Sequence, residues 1–79
     1  MERIEVTTRF RRDGSITLID FRIEDDLIQV MDIGRHWDED TGKHILVMDF
    51  NKQTYHLFFQ LADLTWYLIH DSKPQGEYL

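Results

Sequence analysis

The 79-residue chain contains no cysteine. Neither a disulfide framework nor a thiolate-bound zinc can hold it together, so its stability has to come from packing. It has one proline and four glycines, scattered one to a turn or bend, and none of them builds a phosphate-binding loop. No apolar stretch approaches the roughly 18 residues needed to cross a bilayer. Met1-Glu2-Arg3 leads into alternating residues and not into the apolar block of a secretion signal, which makes a cytoplasmic protein with no membrane partner the expectation. Basic residues are scarce, 9 Lys+Arg against 15 Asp+Glu, for a formal net charge of -6. That balance opposes nucleic acid as the main partner, since phosphate contacts need an excess of positive charge. The chain also lacks G-x-S-x-G, P-loop, G-x-G-x-x-G and H-E-x-x-H patterns. With no nucleophile paired to a base, the expected role is non-enzymatic and no cofactor is implied.

What the chain has is a strand grammar and many rings. Ten of its residues are aromatic, enough to fill a small core with large side chains. A chain this short buries only about 60% of its unfolded surface, so one compact core is expected, with no cavity for chemistry. Residues 3–10 alternate, placing Ile4, Val6, Thr8 and Phe10 on one face. Asp13-Gly14 then signals a hairpin with a type I′ turn. Residues 16–23 change phase at Leu18-Ile19, and residues 27–37 change phase near Val30-Met31 and carry Gly34 inside the run. Each slip predicts a bulge or sharp bend, the means by which a small sheet curls. Lys43 to Phe50 is nearly continuous apolar sequence and reads as a strand that is central or buried on both faces. Residues 53–60 alternate again, and after a corner or single 3-10 turn near residues 61–64, residues 65–70 make a short last strand. A C-terminal helix over residues 61–71 is the competing reading, disfavoured because Thr, Trp, Tyr and Ile prefer strands.

The expected fold is therefore all-β: a small antiparallel barrel or curled sheet of five or six strands, of SH3-like size. It would form one domain over residues 1–71, with residues 72–79 a flexible tail. The expected core is Ile4, Val6, Phe10, Ile19, Phe21, Ile28, Val30, Ile33, Leu46, Met48, Leu57, Phe59, Trp66 and Leu68.

Three groups of residues carry candidate chemistry. His36 and His44 flank a loop bearing Asp38, Glu39 and Asp40, and hairpin pairing would set the two rings near each other. A metal needs three or four convergent ligands, so no metal site is expected. His56 and His70 read as surface or rim residues, and Asp32 is an odd polar residue that a bulge would rotate outward. Arg9, Arg11 and Arg12, with Arg22 and Arg35, could contact phosphate or an acidic surface. Finally, Phe58-Phe59 and Trp66-Tyr67 are adjacent ring pairs whose members cannot all point inward along a strand. Phe58, Trp66 and Tyr67 are thus candidates for an exposed apolar patch that takes a protein partner or a second copy.

The order of Thr8-x-Phe10, Asp13-Gly14, Phe21, Ile33-Gly34-Arg35-x-Trp37, Gly42-Lys43-His44-x-Leu46-Val47, Tyr55-x-Leu57 and Leu64-x-Trp66-x-Leu68 resembles a family of small bacterial β domains of unknown function, over residues 4–69. Some relatives are linked to translesion DNA polymerases, so the resemblance implies an accessory role in DNA repair. The chain departs from the family in being acidic and in having Glu24-Asp25-Asp26 where relatives carry a basic or glycine-containing turn. The reading is thus a bacterial protein-interaction or self-associating module, with an accessory nucleic-acid-binding domain as the alternative.

Overall fold

The structure is a computed structural model that describes residues 1–70. Six antiparallel strands, β1 (Glu2–Phe10), β2 (Ile16–Ile23), β3 (Asp26–Glu39), β4 (Gly42–Asp49), β5 (Thr54–Gln60) and β6 (Thr65–Ile69), are each bonded to the next. β6 returns to pair with β1 and closes a barrel. The all-β expectation holds, and the helical alternative does not form in the described residues. Leu61–Leu64 is a turn, and the β-branched and aromatic residues after it extend into β6. The expected tail lies outside the described residues.

Period-two alternation places Ile4, Leu18, Phe21, Ile45, Val47, Leu57 and Leu68 in one buried cluster, with Val6, Ile23, Ile28, Val30, Tyr55 and Trp66 packed against it. β4 is buried on both faces, as its continuous apolar sequence implies. Its phase, however, corrects the expected core: Ile45 and Val47 point into the barrel, whereas Leu46, 1% exposed, lies in an outer layer. Met48 shares that outward phase and is half-buried.

All three expected irregularities are present. Thr7 pairs with Asp20 and Thr8 with Leu18, leaving Ile19 as the extra residue of a bulge. This lets Leu18 and Phe21 both face inward and displaces Ile19 from the core. Val30 pairs with Asp49 and Asp32 with Met48, so Met31 is the second extra residue. Between Ile33↔Val47 and His36↔Ile45, Gly34 and Arg35 together oppose Leu46. Bulges bend a strand and raise its twist, which is how fourteen residues of β3 can serve two neighbours.

The first hairpin forms by a different turn from the expected type I′. The Gly14 amide donates to the Arg11 carbonyl at 2.9 Å, and only Gly14, at φ 91°, takes the left-handed conformation. That is a type I turn followed by a left-handed residue, in which Asp13 keeps negative φ and accepts from the Ser15 amide at 2.9 Å. The β4–β5 turn repeats the scheme with Lys52 at φ 64°. Two residues expected in the core are exposed, Phe10 at 75% and Ile33 less so. Both stand where the barrel wall is incomplete.

Candidate functional site

The ladder between β2 and β3 contains only Asp20–Ile23 against Asp26–Gln29. Beyond it the bulges at Ile19 and Met31 turn the two strands apart, and β3 continues with β4 alone. Past these bulges the β2–β3 register does not continue among the described residues, so residues 16–19 of β2, held by β1, and 36–39 of β3, held by β4, are not paired with each other across the gap. Between them opens an apolar cavity of about 910 Å³ that runs into one end of the barrel. Phe10, Ile16 and Leu18 form one wall, Ile33 and His36 the other, with Ile45, Phe59 and Trp66 deeper in and Leu61 at the rim. Phe10, Ile16, Ile33 and Leu61 are all exposed. The expectation of one fully filled core is thus corrected at this end of the barrel. The rings and branched aliphatics do not fill the open end, because the strands that would close over it diverge.

The walls differ in charge. Arg9, Arg11 and Arg12 are exposed at the β1–β2 hairpin, where Arg11 Nε donates to Thr17 Oγ1 at 2.9 Å. Asp38, Glu39 and Asp40 are exposed at the end of β3, with Lys43 bonded to Asp38 at 3.1 Å. Arg22 pairs in register with Glu5, and Arg35 lies over the Trp37 ring, 5.1 Å from its centroid. Arg22 and Arg35 thus stand apart from the three hairpin arginines, and the five do not form one basic strip.

The aromatic candidates divide between two faces. Trp66 points into the cavity and packs on Phe59 at 5.0 Å. Phe58 faces outward, but it is buried against the His44 ring at 4.6 Å. Tyr67 is also outward, and its hydroxyl donates to Asp63 Oδ2 at 2.7 Å. That bond, more than the nearby Thr65 amide and Arg3, holds the Asp63 carboxyl below its ordinary range. The three residues therefore do not make one patch.

His36 and His44 also end on opposite faces: His36 sits opposite Ile45 and lines the cavity, while His44 sits opposite Trp37 and stacks on it at 4.9 Å. The true neighbour of His44 is His56, which is half-buried and not a rim residue, with Nδ1 of His44 2.8 Å from Nε2 of His56. On the other side of its ring, His44 Nε2 is 3.2 Å from a Glu39 oxygen, within ion-pairing distance but off the hydrogen-bonding direction. Because Glu39 and His56 address different nitrogens, the three groups do not converge on one point, and among the described residues no cluster suits a metal ion. His70 is exposed and contacts Glu2 at 2.9 Å. Asp32 is turned outward beside the Met31 bulge, where it accepts from the Ile33 amide at 2.9 Å. It shares no cavity with His36 or His44.

The seam was not legible as a site. Its signal, two phase slips in strands that are neighbours in the sheet, is present in the sequence, but the consequence of combining them needs the topology. Comparison with known proteins adds no relative: no family model, no curated protein and no solved structure matches the chain.

Proposed function

We propose that the protein is a non-enzymatic protein-interaction module that works by burying apolar groups of another polypeptide in the β2–β3 seam. The observation that carries this reading is the coincidence of exposed Phe10, Ile16, Ile33 and Leu61 with two strand edges not paired to each other around one apolar cavity. An apolar groove rimmed by polar residues is a common form of interaction site, and a strand edge offers backbone hydrogen bonds to an incoming chain. At the rim Lys43 is bonded to Asp38, and no nucleophile stands beside a base in the lining, which suits recognition more than bond chemistry.

The test is a titration of the isotope-labelled protein with acetyl-Val-Lys-Val-Lys-Val-amide, an extended apolar and basic probe. Saturable amide shift changes centred on Ile16–Leu18, Ile33 and Leu61, abolished by Ile33→Asp, are expected. No saturable change at millimolar probe, or changes confined to the outer face around His44, would overturn the reading.

A further inference from the structure

We infer that the polypeptide received by the seam is a second copy of this chain. The inference rests on the seam being an interaction surface, and it adds the identity of the partner from the charge of the two walls. One wall is headed by Arg9, Arg11 and Arg12 with Asp13 among them, the other by Asp38, Glu39 and Asp40 with Lys43 bonded to Asp38, so the walls keep opposite net sign, and Arg11, Arg12, Asp38 and Asp40 are all exposed. Two copies facing each other across a two-fold axis parallel to the seam bring each arginine hairpin against the other copy's acidic wall. Both contacts form at once. A two-fold axis running across the seam sets like walls together with their ends reversed, and neither charge contact then forms. The same axis carries Phe10 of each copy, the most exposed large apolar side chain, toward the partner's cavity, covering the two apolar rims in one closed contact. An isologous pair leaves no further open seam. Association therefore stops at two, and the seam's strand edges do not propagate into a fibre.

The surface has a sharp electrostatic test. Sedimentation of the full chain is expected to show a dimer at low salt that dissociates as salt rises, because the pairing charges are exposed and screened. The double variant Arg11→Glu/Arg12→Glu sets acid against acid, and Asp38→Lys/Asp40→Lys sets base against base. Each alone is expected to weaken association at least about tenfold while keeping a cooperative melt. An equimolar mixture of the two is expected to recover the dimer, because both contacts are then complementary. Phe10→Ser is expected to weaken the dimer of the otherwise unchanged chain. A chain that stays monomeric at low salt up to about 0.5 mM, far above the range of specific contacts, overturns the inference. So does a dimer that Phe10→Ser or either charge variant leaves intact, or a mixture that fails to recover it. If the chain is monomeric while the Val-Lys peptide still binds at the seam, only the identity of the partner is wrong. If neither is seen, the interaction reading falls with it.

Discussion

Leu64 is 70% exposed and holds a left-handed backbone at φ 54°. For a residue with a branched side chain that conformation costs about 1 kcal/mol or more relative to glycine, and an exposed leucine recovers little of it by burial. The turn between β5 and β6 demands the conformation whatever residue stands there, since Gln60 and Thr65 must face each other across four intervening positions. Leu64→Gly is accordingly expected to raise the melting temperature, corresponding to roughly 0.5–1 kcal/mol, in a calorimetric comparison with the parent. An unchanged or lowered value would show that the leucine side chain makes a stabilising contact in solution. Gly42 illustrates the opposite constraint. A Cβ there would meet the Phe59 carbonyl oxygen and the edge of the Phe58 ring, so its lack of a side chain is required by close approach of β5. Asp49 is the residue whose part the sequence hid most completely. Only 7% exposed, it accepts from the Asn51 amide at 2.8 Å, the Gln53 amide at 2.9 Å and the Tyr55 hydroxyl at 3.0 Å. An aspartate before Phe50-Asn51-Lys52 reads only as turn composition, because its burial depends on Tyr55 returning over it in the next strand.

Among the elements, β3 is the one in which reading and outcome can be compared most closely. Its phase slips at Met31 and its bend at Gly34 were visible as breaks in the alternation, and both are bulges against β4. The divergence of its far half from β2 was not visible, because alternation reports which face a residue takes and says nothing about which neighbour it pairs with. That is why Phe10 and Ile33 looked like core: each keeps the inward phase, but the partner strand that would cover it has turned away. The same limit explains His44 and His56. Twelve residues apart, they meet because β4 and β5 align His44 with Phe58 and Leu46 with His56, a register that the two strand sequences alone leave open. The incomplete wall has a measurable signature. The β2–β3 ladder stops at Asp20 and Gln29, so the seam-facing amides of residues 16–19 and 36–39 have no register pair across the seam among the described residues. They are expected to exchange with deuterium well ahead of the β4–β5 amides, which are bonded along Gly42–Met48. Equal protection in a dilute sample would mean that the seam is closed in solution.

At the scale of the whole molecule the fold was largely legible, from the six runs to the hairpin order, because local alternation and turn chemistry agree along the chain. Stability should respond to alkali through one core-lining group. Burial first, and the bond to Asp49 second, push the Tyr55 hydroxyl from its ordinary 10.0 up to about 12. The folded state then holds its proton more tightly than the unfolded chain. Stability is fully present below about pH 10 and falls as the pH rises toward 12, where the unfolded chain has already lost the proton. Melting temperatures measured across that window should decline, and Tyr55→Phe should flatten the decline while starting from a lower value, having lost the bond to Asp49. A parallel decline in both proteins would assign it to other groups.

The ring is fastened by three residue pairs, Glu2↔Leu68, Arg3↔Tyr67 and Ile4↔Trp66, which join the first strand to the last. Every other ladder unites neighbours in sequence and can zip up beside its own turn, whereas this clasp must wait until almost the whole described chain has been brought round. The order of assembly is thereby set: five hairpins early, the clasp last. Until it shuts, β1 and β6 each expose a raw margin, and the protein's most hazardous moment for sticking to its neighbours comes just before it is finished.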